Sequence, residues 1–127
     1  AWVKGVNTLD SMVGYPDRPL GTASARLDDI VEWVPARVSA VLIAVAAIDP
    51  LILGRATPWA REPPSPNSGW PMASMAAALD VRLRKPETYD LNPTAALPSL
   101  DGARNAVGIG NRTGILAFVL AGVIAWF

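Results

Sequence analysis

Apolar positions fall in two regimes: short stretches at helical spacing among polar residues, and two long runs almost free of charge. Val3, Val6, Leu9, Met12 and Val13 keep helical spacing and predict a short amphipathic helix over 2–13. Gly14 reads as its stop, and Pro16 and Pro19 predict a turn-rich loop to about residue 21. Asp29 with Glu32 resembles a capping box, so a helix is expected to start or restart there, with a kink at Pro35. Val38 to Ile48 is apolar except for Ser39. The stretch between Arg37 and Arg55 would give roughly 25 Å of helix, near the short limit for a membrane span. Asp49-Pro50 lies near one end of it, where an interfacial Asp is the simpler reading. Residues 56–71 hold five of the twelve prolines and predict an ordered loop anchored by Trp59 and Trp70. Pro71 suits a first helical turn, and Met72, Met75, Ala76 and Leu79 predict a small-residue helix ending near Asp80. Residues 81–105 read as an irregular extramembrane segment, and Thr113 to Phe127 as a second, charge-free span.

Composition sharpens this pattern. Of 127 residues, 51% are apolar and 17% charged, with mean hydropathy +0.28, which points to a membrane protein or a fragment of one. Eleven basic residues balance eleven acidic ones, so nothing supplies the positive field that nucleic acid requires. The chain has no Cys and no His. That removes thiolate nucleophiles, disulfides, imidazole bases and Cys- or His-ligated metals. Chemistry is left to carboxylates, Lys, Tyr, Ser and Thr. The opening Ala1-Trp2-Val3 has no signal-peptide pattern, and the last residues lie within an apolar run. An incomplete chain lacking its N-terminal part is the expectation.

Three polar clusters interrupt the apolar pattern: Lys4, Asn7, Thr8, Asp10, Ser11 and Tyr15; then Ser24, Arg26, Asp28, Asp29 and Arg37; then residues 65–71. On a helix Asn7 shares one side with Asp10 and Ser11. Asp10, Asp28 and Asp29 could supply the hard oxygens that Mg²⁺ takes, and Lys4, Arg26 and Arg37 could hold anionic groups. The Ser/Asn/Gly turn before Pro71 could offer backbone N–H groups to an anion. Each has a plainer alternative: a helix cap for Asp28-Asp29, a solvated face for Asn7 and Asp10, and a tight turn for 65–69. The five tryptophans read first as interfacial anchors.

The blocks Asn7-Thr8-Leu9-Asp10-Ser11-Met12-Val13-Gly14-Tyr15, Ser24-Ala25-Arg26-Leu27-Asp28-Asp29, Pro35-Ala36-Arg37 and Ser65-Pro66-Asn67-Ser68-Gly69-Trp70-Pro71 stand in this order. Together they resemble the C-terminal half of the adenosylcobinamide-phosphate synthase family, CobD/CbiB, of cobalamin biosynthesis. The resemblance covers roughly residues 1–83; the remainder is similar only in character. It implies an all-α, multi-pass cell-membrane protein, with residues 1–127 forming the C-terminal part of a single membrane domain. About two apolar helices and polar, Pro-rich loops are expected, with the N-terminal half absent.

The implied activity joins adenosylcobyric acid to aminopropanol, or its phosphate, through an amide bond, with ATP as co-substrate and Mg²⁺ as metal. By matching position it implies Asp10, Asp28 and Asp29 as catalytic metal ligands. Asn7, Ser11, Arg26, Arg37, Ser65, Asn67 and Ser68 are implied for substrate binding, Arg26 and Arg37 for phosphate or propionate. Partners would be these substrates and the lipid bilayer, and no nucleic acid. The fragment alone is expected to be inactive. The chain departs from the family at Pro63-Pro64, where His is frequent, at Met72, where an acidic residue is frequent, and at Asp80, where Gly is common. A Gly-Gly-Pro-Asn-Tyr-Tyr-like stretch is missing around residues 84–89. The competing readings are a non-enzymatic membrane scaffold or transporter segment, and a soluble domain built around two apolar helices.

Overall fold

The structure is a computed structural model that describes Thr8 and residues 19–127, with side chains from residue 26 onward besides Thr8. The amphipathic helix expected over 2–13 lies outside the described residues. Among the described residues, four helices and one hairpin follow in order: α1 (Pro19–Ala46), α2 (Leu51–Ala56), α3 (Gly69–Leu79), β1 (Leu83–Lys85), β2 (Tyr89–Leu91) and α4 (Leu100–Trp126). The chain is therefore mostly helical, and the irregular segment expected over 81–105 instead contains a two-stranded sheet and the start of α4.

Helix α1 begins at Pro19, not at Asp29, and continues through Pro35. Proline at a first helical position loses nothing, because that N–H has no intrahelical acceptor. Asp29 and Glu32 sit in the helix interior rather than in a cap. The expected span over 38–54 is broken after Ala46. Ile48 adopts φ 58°, the Ile48 N–H donates to Val45 O at 3.0 Å, and the Asp49 N–H donates to Ala44 O at 3.1 Å. This is a Schellman stop with an isoleucine at the left-handed position, where glycine is usual. Pro50 then restarts the chain in a new direction. Asp49 holds the restart: its Oδ1 accepts from Leu51 N at 2.9 Å, and its Oδ2 meets Arg55.

Small residues set the packing. The core cluster is Ala44, Ile52, Ala56, Ala60, Ala73 and Ala77, with Trp59 and Trp70 packed against it. Alanine buries little area, so each contributes little through the hydrophobic effect, but it lets helix backbones approach closely. Gly69 extends this logic. A Cβ there would lie 2.0 Å from Ala60 O.

At the far end of α3, Asp80 takes φ 48° and closes the helix, its N–H and that of Val81 both donating to Ala76 O. That left-handed geometry is one that glycine adopts without strain, in keeping with the glycine that the resemblance leads one to expect here. In the hairpin, Leu83, Arg84 and Lys85 face Leu91, Asp90 and Tyr89. Arg82 reaches across to Asp90 in a two-pronged ion pair, with Nε to Oδ1 at 2.7 Å. The Arg82 guanidinium, mainly by hydrogen bonding, holds the Asp90 carboxyl below its ordinary range, while Asp90 in turn raises Arg82.

Ser99 caps α4, its Oγ accepting from Gly102 N at 3.0 Å, with Asp101 in the first turn where the helix dipole favours an anion. This cap starts α4 thirteen residues before the expected Thr113. Among the described residues, α4 is the one helix long and apolar enough to cross a membrane. Ile115, Phe118, Val119, Ile124 and Trp126 are all exposed on it.

Candidate functional site

The pocket that collects four of the seven described sequence candidates lies between α1 and the loop leading into α3. It has a volume of about 180 Å³ and is lined by Asp28, Glu32, Pro35, Ala36, Ser39, Ser65, Asn67, Ser68 and Pro71. The α1 contributions are spaced i, i+4, i+7, i+8 and i+11, one face of a continuous helix. The other wall is the Ser65–Pro71 turn. There Ser65 Oγ accepts from the Asn67 N–H at 3.3 Å and from the Ser68 N–H at 3.5 Å, which folds the turn on itself.

Two side chains stitch the walls together. Asn67 is buried; its Nδ2 donates to Asp29 O on α1 at 2.7 Å. Its Oδ1 accepts from Arg37 Nη1 at 2.5 Å. Arg37 also donates to Trp33 O at 3.1 Å and to Pro66 O at 3.4 Å. Its guanidinium lies 4.5 Å from the centre of the Trp33 ring and 5.3 Å from that of Trp70. An aromatic face on either side attracts the cation and limits its rotation. Three of the five guanidinium N–H donors thus go to the protein itself.

The sequence candidates separate accordingly. Asp28, Ser65, Asn67 and Ser68 line one pocket. Asp29 contributes its backbone carbonyl to Asn67, and its side chain is not part of the lining. Consecutive helical residues point about 100° apart, so Asp28 and Asp29 cannot share a face. Arg37 adjoins the pocket as a clamp on the turn. Arg26 is exposed and lies outside it. Asn7, Asp10 and Ser11 lie outside the described residues.

Glu32, Ser39 and the Trp33–Arg37–Trp70 stack were missed by reasoning on sequence. For Glu32 and Ser39 the signal was same-face spacing from Asp28, legible once α1 is taken as one helix; for Trp33 and Arg37 it was their own i, i+4 spacing. Among the described residues no three acidic side chains form a metal-binding group. Asp28 and Glu32, one turn apart in the same pocket, are a donor pair that suits Mg²⁺. That ion usually takes one or two carboxylates and fills its shell with water and phosphate oxygens.

The class this chain falls in is a mostly helical protein with one membrane-length helix and a carboxylate- and hydroxyl-lined pocket. Comparison with known proteins gives the family. Residues 1–116 match the CobD/Cbib protein family model. The chain is 39% identical to the probable cobalamin biosynthesis protein CobD of Methanothrix thermoacetophila, over 95% of this chain and 40% of that protein. It is 43% identical to the probable cobalamin biosynthesis protein CobD of Methanothermobacter thermautotrophicus, over 91% of this chain and 41% of that one. With the cobalamin biosynthesis protein CobD of Rhodobacter capsulatus it shares 46% identity, over 70% and 30% of the two chains. The chain belongs to the CobD/CbiB family, and it spans about two-fifths of the length of the first two relatives. No solved structure matches it.

Proposed function

We propose that this chain acts in cobalamin biosynthesis as part of a membrane-embedded amide ligase. The ligase joins adenosylcobyric acid to aminopropanol or its phosphate at the expense of ATP. Family membership over residues 1–116 supports the pathway, and one observation carries the site. Four residues implied by resemblance, Asp28, Ser65, Asn67 and Ser68, line a single pocket although α1 and the turn are far apart in sequence.

In this reading Asp28 and Glu32, with Asp10, would hold Mg²⁺, which would offset phosphate charge as the substrate carboxylate attacks ATP and releases ADP or pyrophosphate. The amine nitrogen then forms the amide C–N bond. The bond from the acyl carbon to its phosphate or AMP leaving group breaks, and a proton leaves the nitrogen. Ser65 and Ser68 orient substrate by hydrogen bonds, Arg26 meets an anionic group from the rim, and Asn7 and Ser11 complete the site. Arg37 and Asn67 hold the turn in place. Such chemistry draws on carboxylates, cations and oriented N–H groups, and it proceeds without His or Cys.

Helix α4 is the proposed membrane span. None of its residues is buried, and its charge-free C-terminal half from Thr113 is largely exposed, which supports this placement. Extraction tests it: the protein should leave membranes only with detergent. Recovery in the soluble fraction would instead favour a domain that buries these helices itself.

The ligation test uses the purified full-length protein with Asp10→Asn, Asp28→Asn and Glu32→Gln. Each variant should stay folded and lose most product formation. Near-normal turnover in all three would sink the carboxylate roles. An intact protein that neither binds nucleotide nor forms product would point to a scaffold.

A further inference from the structure

Helix α1 is apolar on two opposite faces. Ala36, Ala40, Ile43, Ala44 and Ala46 are buried on one, the side packed toward α3 and α4. On the other, Leu27, Val31, Val34, Val38, Val41 and Val45 alternate four and three residues apart. At 100° per residue this second stripe is centred roughly opposite the buried one. Among the described residues it is largely uncovered: Val34 is 58% exposed, Val41 47% and Val45 55%, with Val31 half-buried. A sustained 3.5-residue repeat is the signature of a seam that receives a second helix, with β-branched side chains as knobs. The seam runs about 27 Å at 1.5 Å per residue. It ends in an apolar hollow of about 370 Å³ lined by Val41, Ala44, Val45, Ile48, Pro50 and Leu53, with Asp49 at its rim.

We infer that this face docks an apolar α-helix supplied by the part of a CobD-family protein that these 127 residues do not span. Two observations select that occupant. The chain covers only 40% and 41% of two relatives, so such proteins have ample further chain. The hollow offers a place for a large side chain of the incoming helix, as a hole receives a knob. The inference rests on family membership and not on the ligase reading, so loss of one leaves the other standing.

The test uses the intact protein in its membrane, with any cysteine outside this stretch replaced by serine; the stretch itself has none. Spin labels on Val34→Cys and Val41→Cys should be immobilised and shielded from both oxygen and a water-soluble nickel chelate. Glu62→Cys, exposed on a loop, and Val119→Cys, exposed on α4, serve as water and lipid references. Rapid oxygen collisions as at Val119 would mean lipid, and chelate collisions as at Glu62 would mean water. Disulfide-linked pairs would mean a second copy. Each of these three outcomes overturns the inference. A smaller probe guards against a label that disrupts packing: a diazirine amino acid at position 41 should crosslink to peptides from outside residues 1–127. Crosslinks confined to residues 1–127, or to lipid, overturn it.

Discussion

Gly69→Ala is the sharpest test of how the pocket turn is held. Gly69 is buried at the first position of α3 and has no positive φ, so glycine is present there for space and not for backbone freedom. An added Cβ would meet Ala60 O at 2.0 Å, Ala60 C at 2.8 Å and Pro63 Cδ at 3.1 Å. The closest of these is backbone and cannot rotate away. A carbon–oxygen contact settles near ~3.3 Å, so α3 and the 60–63 segment must separate by more than ~1 Å. Overpacking of this kind costs about 1–3 kcal/mol, and a rigid neighbour puts the figure at the upper end. Alanine's better helix propensity returns at most about 1 kcal/mol. The net is about 2 kcal/mol of destabilisation, or a midpoint roughly 5–10 °C lower.

Gly108→Ala makes the same chemical change where nothing lies within 4 Å of the new Cβ. There propensity acts alone, and a gain of up to about 1 kcal/mol is expected. Thermal unfolding in detergent, read by tryptophan fluorescence, compares the two. Opposite signs are expected. A Gly69→Ala protein as stable as the native one would refute the close approach that forms the turn.

Three further outcomes follow from the geometry elsewhere in the fold. Asn67→Ala strips partners from Asp29 O and Arg37 Nη1, and should cost about 1–3 kcal/mol in stability along with most ligation; an unchanged melting curve would refute the stitch. At Asp80, glycine should be about 1 kcal/mol more stable than alanine by chemical denaturation, because φ 48° strains any side chain with a Cβ, and both variants lose the bond from Asn92 Nδ2. Asp90 has its carboxyl lowered by Arg82, so its contribution is complete above the ordinary carboxylate range and is lost as pH falls through the lowered value. The melting difference between native protein and Asp90→Asn should therefore shrink on acidification, and a pH-independent difference would remove the ion pair from the account.

Element type was more legible than element boundary. The helix over 69–79 follows from Pro71 and the Met72–Leu79 spacing, and its end at Asp80 was expected as observed. The start of α1 was misplaced because Asp29 and Glu32 satisfy a capping pattern equally well from inside a helix, where nothing local forbids them. The broken span after Ala46 was hidden for another reason. Ile48 has no propensity for the left-handed conformation, so its turn is imposed by packing and by Pro50 rather than by its own chemistry. The hairpin and the early start of α4 were missed because short strands carry little periodic signal. Helix α4 passes through Gly108, Gly110 and Gly114.

The misplaced start also obscured the site. With a helix beginning at Asp29, Asp28 and Asp29 look like adjacent ligands at a loop end, and Arg37 looks like a free cation. With α1 continuous from Pro19, Asp28 and Asp29 must point to different sides. Glu32 becomes the natural companion of Asp28, and Arg37 falls under the turn it holds. The Ser-Pro-Asn-Ser-Gly-Trp-Pro block then has a physical reason for its length. Ser65 folds the turn, Asn67 ties it to α1, Gly69 lets it approach Ala60, and Trp70 flanks the clamp. The block thus carries within itself the contacts that bring it to α1.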